Sequence, residues 1–319
     1  MDASSATRSI SAAEIESLCS FDEAITSQRQ VFLAHEAKQT VLGPRAMISQ
    51  GENAQFAYIA RASETGPTIV KFGTVVPSNS SRSIPVVQTN IAVMDPTTGS
   101  VTTFLDGESV TKLRTVAASI VAAQALANPP TRVAIVGLGH QGLAHAQAVA
   151  KIFKPRELIG IARNPESNSF SESGAAKFFS SVTSEISALR ECDLIFLCTN
   201  SATPVIKEQI AAGATCISIG SFAPNRSEVA PELVAAADQV VVDDVDDARG
   251  HGRHAGGRGA DAAHRHRIGG GIVDHHLAGP SHRLDHAAEV RSGVDDPAAH
   301  CHESAARHGV DVADVDLAG

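Results

Sequence analysis

Gly137, Gly139 and Gly142 stand in the spacing Gly-x-Gly-x-x-Gly directly behind the apolar run Arg132-Val133-Ala134-Ile135-Val136. A glycine triplet alone is a weak signal. Behind a short buried-type strand and ahead of a helical stretch it gains the context that a dinucleotide-binding turn requires. Each glycine then has its own role. Gly137 permits the tight turn, Gly139 lets the backbone approach a pyrophosphate, and Gly142 lets helix and strand pack. The helix that begins there presents unpaired N–H groups to the anion. His140 and Gln141, inside the turn, are expected near the phosphates through their backbone, and Thr199, at the end of a later strand, is grouped with them as a cofactor contact.

The next strand selects the cofactor. An NAD site ends that strand with an acid on the ribose 2′-hydroxyl. Here the strand ends Ile161-Ala162-Arg163-Asn164, with no acid before Glu166. Arg163 is the residue type that pairs with a 2′-phosphate, so the expected cofactor is NADP, with NAD as the alternative. A surface arginine that touches no cofactor is the competing reading.

The elements that position these residues follow from pattern. Ser11 with Glu14 and Ser20 with Glu23 match the capping box and predict two N-terminal helices. From Phe56 to Leu105 the chain is rich in Val, Ile and Thr and is cut by Thr65-Gly66-Pro67, Pro77-Ser78-Asn79 and Asp95–Gly99, which predicts antiparallel strands joined by turns. Thr111 to Ala127 predicts an alanine-rich helix ended by Asn128-Pro129-Pro130. Beyond the prolines, strands at Arg132–Val136, Glu157–Ala162, Asp193–Thr199, Thr215–Gly220 and Gln239–Val242 alternate with helical stretches. That alternation implies an open parallel sheet. The expected fold class is α/β: a Rossmann-type dinucleotide-binding domain at 129–248, preceded by an α+β substrate-binding and dimerisation domain at 1–128.

Composition narrows the function classes. The chain has 319 residues and a net charge of −9, which argues against a nucleic-acid partner held by a basic surface. No apolar run approaches the roughly 18 residues of a membrane span. The polar start, Met1 to Ser11, has no apolar segment of a secretory signal. Five cysteines are scattered without a Cys-x-x-Cys pair, the pattern of reduced thiols in a cytoplasmic protein.

Several motifs together resemble a known family. Pro44-Arg45, Lys71, Pro77-x-Asn79, Ile84-Pro85, Asp95-x-x-Thr98-Gly99, Asp106-Gly107, the block Thr111-x-x-Arg114-Thr115-x-Ala117-Ala118-Ser119 and the three glycines are similar, in order and spacing, to the ornithine cyclodeaminase/mu-crystallin family. The resemblance covers about residues 11 to 248. It implies a homodimer that pairs through a sheet of the first domain and binds a small imino- or amino-acid substrate. It also implies that Arg45, Lys71 and Arg114 surround the substrate carboxylate, with Lys71 and Arg114 as the catalytic pair. The chemistry fits: guanidinium forks bind a carboxylate bidentately and a lysine adds a compact charge. The competing reading is three ordinary surface cations, strongest for Arg45. His35, within a helix, is expected to be structural.

Relatives in that family include cyclodeaminases, ketimine reductases and amino-acid dehydrogenases. Cyclodeaminases carry an aspartate for the substrate amino group at the third position of the motif that here runs Gly220-Ser221-Phe222-Ala223-Pro224-x-x-x-Glu228. Phe222 can neither accept a proton nor hold an ammonium by charge. As an aromatic wall it suits a compact ring, and the motif looks like that of the bacterial pyrroline-2-carboxylate reductases. Alternatively Phe222 is core. The expected reaction is NAD(P)H-dependent reduction of pyrroline-2-carboxylate or piperideine-2-carboxylate to L-proline or L-pipecolate. The alternatives are ornithine cyclodeamination, amino-acid dehydrogenation and non-catalytic NADPH binding.

From Arg249 onward the composition changes. All 11 Phe and the single Tyr lie before it, and 11 of the 14 His lie after it. Such a segment cannot bury enough surface to offset its ordering entropy. A metal-binding tract (His264-x-His266, His275-His276, His300-x-His302) lacks a repeated ligand frame, and natural disordered tails favour other residues. A shifted reading frame accounts for more. Stepping the degenerate codons of Gly250–Gly256 forward by one nucleotide allows A-T-A-G-M-L-A, and those of His264–Gly269 allow T-V-T-E-L-G, both ordinary helix sequences. Residues 249–319 are therefore expected to be an out-of-frame, disordered tail with no metal site.

Overall fold

Two capping boxes start the helices near the N-terminus, as their Ser-x-x-Glu spacing predicts. The hydroxyls of Ser11 and Ser20 each accept a backbone N–H from Glu14 and Glu23 at 3.4 Å. The two carboxylates reach back to the serine N–H groups at 2.9 and 2.7 Å. In a computed structural model, which describes residues 6–82, 84–165, 174–207, 210–220, 227–243 and 271–274, these boxes open α1 (Ala12–Leu18) and α2 (Phe21–Glu36).

The described residues fall into two compact units that divide between Ala118 and Ser119. The first contains β1 (Arg8–Ile10), β2 (Val41–Leu42), β3 (Ala46–Gln50), β4 (Asn53–Arg61), β5 (Thr68–Val75), β6 (Val87–Met94) and β7 (Val101–Asp106). They form one sheet in the order β1-β7-β6-β5-β4-β2, with β3 also on β4. β1 runs parallel to β7 and all other pairs are antiparallel. Strand alternation puts Ala60, Ile69, Ile91, Val93 and Leu105 on one face, where they form a core with Ile10, Ile15 and Val110. The opposite face carries the cross-strand row Ile59, Val70, Ala92, Phe104. On that face Ile59 is 50% exposed and Phe104 39%.

The helix predicted from Thr111 begins four residues earlier, as α3 (Gly107–Leu126). Asp106 accepts the Ser109 N–H at 2.8 Å and so caps the first turn. An Asp-Gly pair that reads as a turn is here a helix start. A side chain at Gly107 would come within 2.6 Å of the Thr89 hydroxyl, so only glycine lets α3 leave β7 this close to β6.

The second unit is a parallel sheet: β8 (Arg132–Val136), β9 (Glu157–Ile161), β10 (Ser181–Thr183), β11 (Leu194–Leu197), β12 (Thr215–Ser218), β13 (Gln239–Val242) and β14 (Gly271–Asp274). The order is β10-β9-β8-β11-β12-β14-β13. α4 (His140–Ile152) follows β8 and α5 (Pro231–Ala236) precedes β13. Apart from Arg132 and Glu157, the residues of β8, β9, β11 and β12 are buried, and most are apolar, as a sheet covered on both faces requires. Strand order reverses between β8 and β11, the position at which an open α/β sheet takes its ligand. Two crossovers differ from expectation. Ala175–Phe178 and Ile186–Glu191 are 3₁₀ turns, in place of the helices that the alternating pattern predicts.

Most of the tail from Arg249 lies outside the described residues, and its expected disorder and His tract with it. Gly271–Asp274 is the exception. Against the expectation of an unordered tail, it pairs with β12 and β13 as a parallel strand. Among the described residues no helix is long and apolar enough to cross a membrane, and no cluster of His, Cys, Asp or Glu could hold a metal.

Candidate functional site

The glycine turn has the geometry its spacing implies. Gly137 lies at φ +91°, and a Cβ there would meet the Cys198 carbonyl at 2.7 Å. A Cβ on Gly142 would sit 1.8 Å from the Gly137 carbonyl, so helix and turn touch only because neither residue has a side chain. Gly139 differs. It caps α4 at φ −82° with no side-chain cap, and no atom lies within 4 Å of its Cβ position. The fold tolerates a side chain at Gly139, and the glycine instead leaves open space at a helix N-terminus whose first N–H groups face outward. These features fit a dinucleotide pyrophosphate. His140 is exposed at the first position of α4, and Gln141 follows it, half-buried.

Arg163 lies two residues beyond β9, exposed. The last residue of β9, Ile161, accepts the Gly137 N–H at 2.8 Å, so Arg163 leaves the sheet next to the glycine turn. Thr199 also borders the turn: its methyl lies 3.0 Å from the Cβ position of Gly137. Its hydroxyl is committed elsewhere and donates to Glu228 at 2.6 Å. Thr199 therefore borders the turn through its methyl.

Two residues to which the sequence pattern gives no role shape this end of the sheet. Glu228 is fully buried and accepts from Thr199 and Gly220 N–H and from the Thr199 and Ser218 hydroxyls. His145 is buried on α4, with Nδ1 2.7 Å from the Gln141 carbonyl and Nε2 2.9 Å from the Ser119 hydroxyl. A carbonyl only accepts, so Nδ1 carries the proton and Ser119 donates to Nε2. The signal for His145 is its place among Ala144, Ala146, Ala148 and Val149, all buried. For Glu228 it is an acid set directly before Val229-Ala230-Pro231. Cys198, beside the turn, is no nucleophile: burial first, and the Glu228 charge second, push its thiol well above the ordinary range.

Burial pushes His145 down to about 4 from 6.5, against a weaker opposing effect of the Gln141 carbonyl. The unfolded chain therefore takes up this proton first as pH falls. Neutral His145 contributes its full stability above about pH 6.5 and loses it as pH falls to about 4, a swing of about 3 kcal/mol. Denaturant unfolding at pH 7 and pH 4 is expected to show that much more loss in the unaltered chain than in His145→Gln. Equal losses would remove His145 as the cause.

The three cations belong to the first unit. Lys71 is 6% exposed in β5, directly opposite Tyr58 on β4 and Ile91 on β6. Directly opposed residues share a face, so the ammonium lies on the core side of the sheet. Tyr58 also receives Arg45, whose guanidinium carbon lies 5.6 Å from the ring centroid. Arg45 itself is exposed. Arg114, half-buried on α3, stands one turn after Val110, which packs in the core of that same sheet face. Pattern reading misses Gly73. Its Cβ position lies 2.3 Å from the Gln88 carbonyl and 3.0 Å from the Phe56 ring, which stacks on Tyr58 at 5.1 Å. Arg45 and Lys71 thus both border Tyr58, two cations able to hold a carboxylate. Phe222 lies outside the described residues.

The sequence profile described as the ornithine cyclodeaminase/mu-crystallin family matches residues 8–283. The Delta(1)-pyrroline-2-carboxylate reductase 1 of Burkholderia multivorans is 29% identical over 183 residues, 57% of this chain and 59% of that protein. The chain thus spans less than two thirds of that relative's length. The Delta(1)-pyrroline-2-carboxylate reductase of Bacillus thuringiensis subsp. konkukian is 28% identical over 241 residues, 73% and 74% of the two chains. Among solved structures, the Thermococcus litoralis Delta(1)-pyrroline-2-carboxylate reductase in complex with NADH and L-proline superposes with a TM-score of 0.77 at 21% identity. That match covers 95% of this chain and 99% of the other, and it shows a shared fold.

Proposed function

The chain belongs to the ornithine cyclodeaminase/mu-crystallin family, and from that premise we propose that it reduces a cyclic ketimine, pyrroline-2-carboxylate or piperideine-2-carboxylate, to L-proline or L-pipecolate with NAD(P)H. The observation that carries this reading is a lysine buried on the core side of a sheet, directly opposite the tyrosine on whose ring Arg45 rests. An ammonium at that position is suited to a substrate that is itself an anion. Lys71 and Arg114 hold the carboxylate, and Arg45, braced on Tyr58, closes the set from the exposed side. A bound nicotinamide supplies the hydride. The imine nitrogen is protonated in solution, so these residues need only bind, orient and exclude water. The second unit holds the dinucleotide at Gly137, Gly139, His140, Gln141 and Gly142.

Arg163 beside the turn, and the lack of an acid at the end of β9, support NADP over NAD. The exposed apolar row containing Ile59 and Phe104 supports a homodimer formed through this sheet. Scattered cysteines support a cytoplasmic location. In the decisive assay, pyrroline-2-carboxylate is expected to drive NADPH oxidation at a higher kcat/KM than NADH. Ammonia release from ornithine without added cofactor, or dinucleotide binding without turnover of either imine, would overturn the reading.

We further propose that residues 249–319 record a shifted reading frame. The family match reaches residue 283 and β14 lies in this segment. The abrupt loss of every aromatic residue still outweighs a strand of four residues. Sequencing the gene across the Arg249 codon is expected to show one inserted or missing nucleotide, and an intact frame would refute it.

A further inference from the structure

The parallel sheet of the second unit is tied by a carboxylate at each end of its central strands. At the N-terminal end, Asp193 accepts the N–H groups of Thr131 and Arg132 at 2.7 and 2.8 Å. At the C-terminal end, Glu228 accepts from Thr199 N–H at 2.7 Å, Thr199 hydroxyl at 2.6 Å, Ser218 hydroxyl at 2.8 Å and Gly220 N–H at 2.7 Å. Each oxygen serves two donors, the acceptor capacity of an ionised carboxylate. The backbone of Glu228 is itself held, since its carbonyl accepts the N–H groups of Val205 and Ile206 at 2.8 and 3.0 Å.

The two ends differ in what they face. Dinucleotides bind outside the carboxyl ends of parallel strands, one mononucleotide on each side of the order reversal. β8 and β9, with the glycine turn and Arg163, form the adenosine side; β11 and β12 form the nicotinamide side. Thr199 and Gly220 are the residues at which β11 and β12 leave the sheet. A Cβ on Gly220 would come within 2.1 Å of the Thr199 carbonyl and 2.5 Å of the Glu228 carboxyl carbon, so the two exits and the acid are packed without slack.

We infer that Glu228 is a positioning residue for the nicotinamide half of the dinucleotide, holding the exits of β11 and β12 in the conformation that half requires. The inference rests on the dinucleotide reading given above. In Glu228→Gln one acceptor oxygen becomes an NH2 donor that opposes two of the four hydrogen bonds, while shape is kept.

Calorimetric titration of the full chain with NADPH and with ADP separates the outcomes. The unaltered chain binds both. Glu228→Gln is expected to weaken NADPH by about tenfold or more at unchanged stoichiometry, with ADP affinity unchanged. A purely structural loss would instead lower the stoichiometry for both ligands, or weaken both alike. Asp193→Asn, which loosens the opposite end of the sheet, is expected to leave both affinities unchanged. If Glu228→Gln does not fold, Thr199→Val must show the same split at smaller size. Equal affinities, or equal losses for NADPH and ADP, overturn the inference alone. Binding of neither ligand by the unaltered chain overturns the dinucleotide reading and the inference with it.

Discussion

Lys71→Met is expected to keep NADPH affinity and to lower kcat/KM for pyrroline-2-carboxylate roughly 100- to 1,000-fold. The two halves of that result have separate causes. Lys71 is 6% exposed on a sheet face shared with Ile69, Ile91 and Tyr58. Met matches the lysine stem in length, so the change is confined to the lost charge, in the unit that does not carry the glycine turn. The substrate carboxylate, in contrast, loses a charged partner at a desolvated site, worth about 2–5 kcal/mol. Dinucleotide binding kept with a fall in activity is the signature of a group that serves the substrate. A fall in both would make Lys71 a structural cation and remove the main support for carboxylate recognition. Arg45→Ala provides the contrast: Arg45 is exposed and rests on the Tyr58 ring, so its loss should cost less.

Legibility of the molecule tracks how local each feature is. The segment from Arg132 through Ile152 is readable almost residue by residue, because strand, turn glycines and helix start are contiguous and each has a steric reason. The antiparallel run is readable from its turns. The three-residue strands β1 and β10 are not, because pairing with distant strands, not their own pattern, makes them strands. The start of α3 is hidden because Asp106-Gly107 suits a turn and an N-cap equally. At the site, residue types single out Arg45, Lys71 and Arg114, but only cross-strand register shows that Tyr58 lies between Arg45 and Lys71. Glu228 is the hardest to read. Its hydrogen-bond partners lie up to 29 residues away, and its place just before Val229-Ala230-Pro231 marks an acid without showing that the fold buries it completely.

The glycine turn allows a sharper experiment than loss of binding alone, because its glycines are required for different reasons. Gly142→Ala places a Cβ 1.8 Å from the Gly137 carbonyl and must displace the turn. It is expected to destabilise the protein by about 1–3 kcal/mol or more, with dinucleotide binding lost as a consequence. Gly139→Ala meets no atom within 4 Å and starts from φ −82°, which alanine adopts freely. Its stability should be unchanged or raised by about 0.4–1 kcal/mol through the unfolded chain. A methyl there nevertheless occupies the space in front of the first N–H groups of α4, where a pyrophosphate would lie. NADPH and ADP affinity should both fall roughly 10- to 100-fold, about 1.4 kcal/mol for each tenfold step. Weaker binding in a protein that melts no lower assigns Gly139 to the ligand. Undiminished binding would mean that the turn serves the fold alone, and the dinucleotide would have to be sought elsewhere.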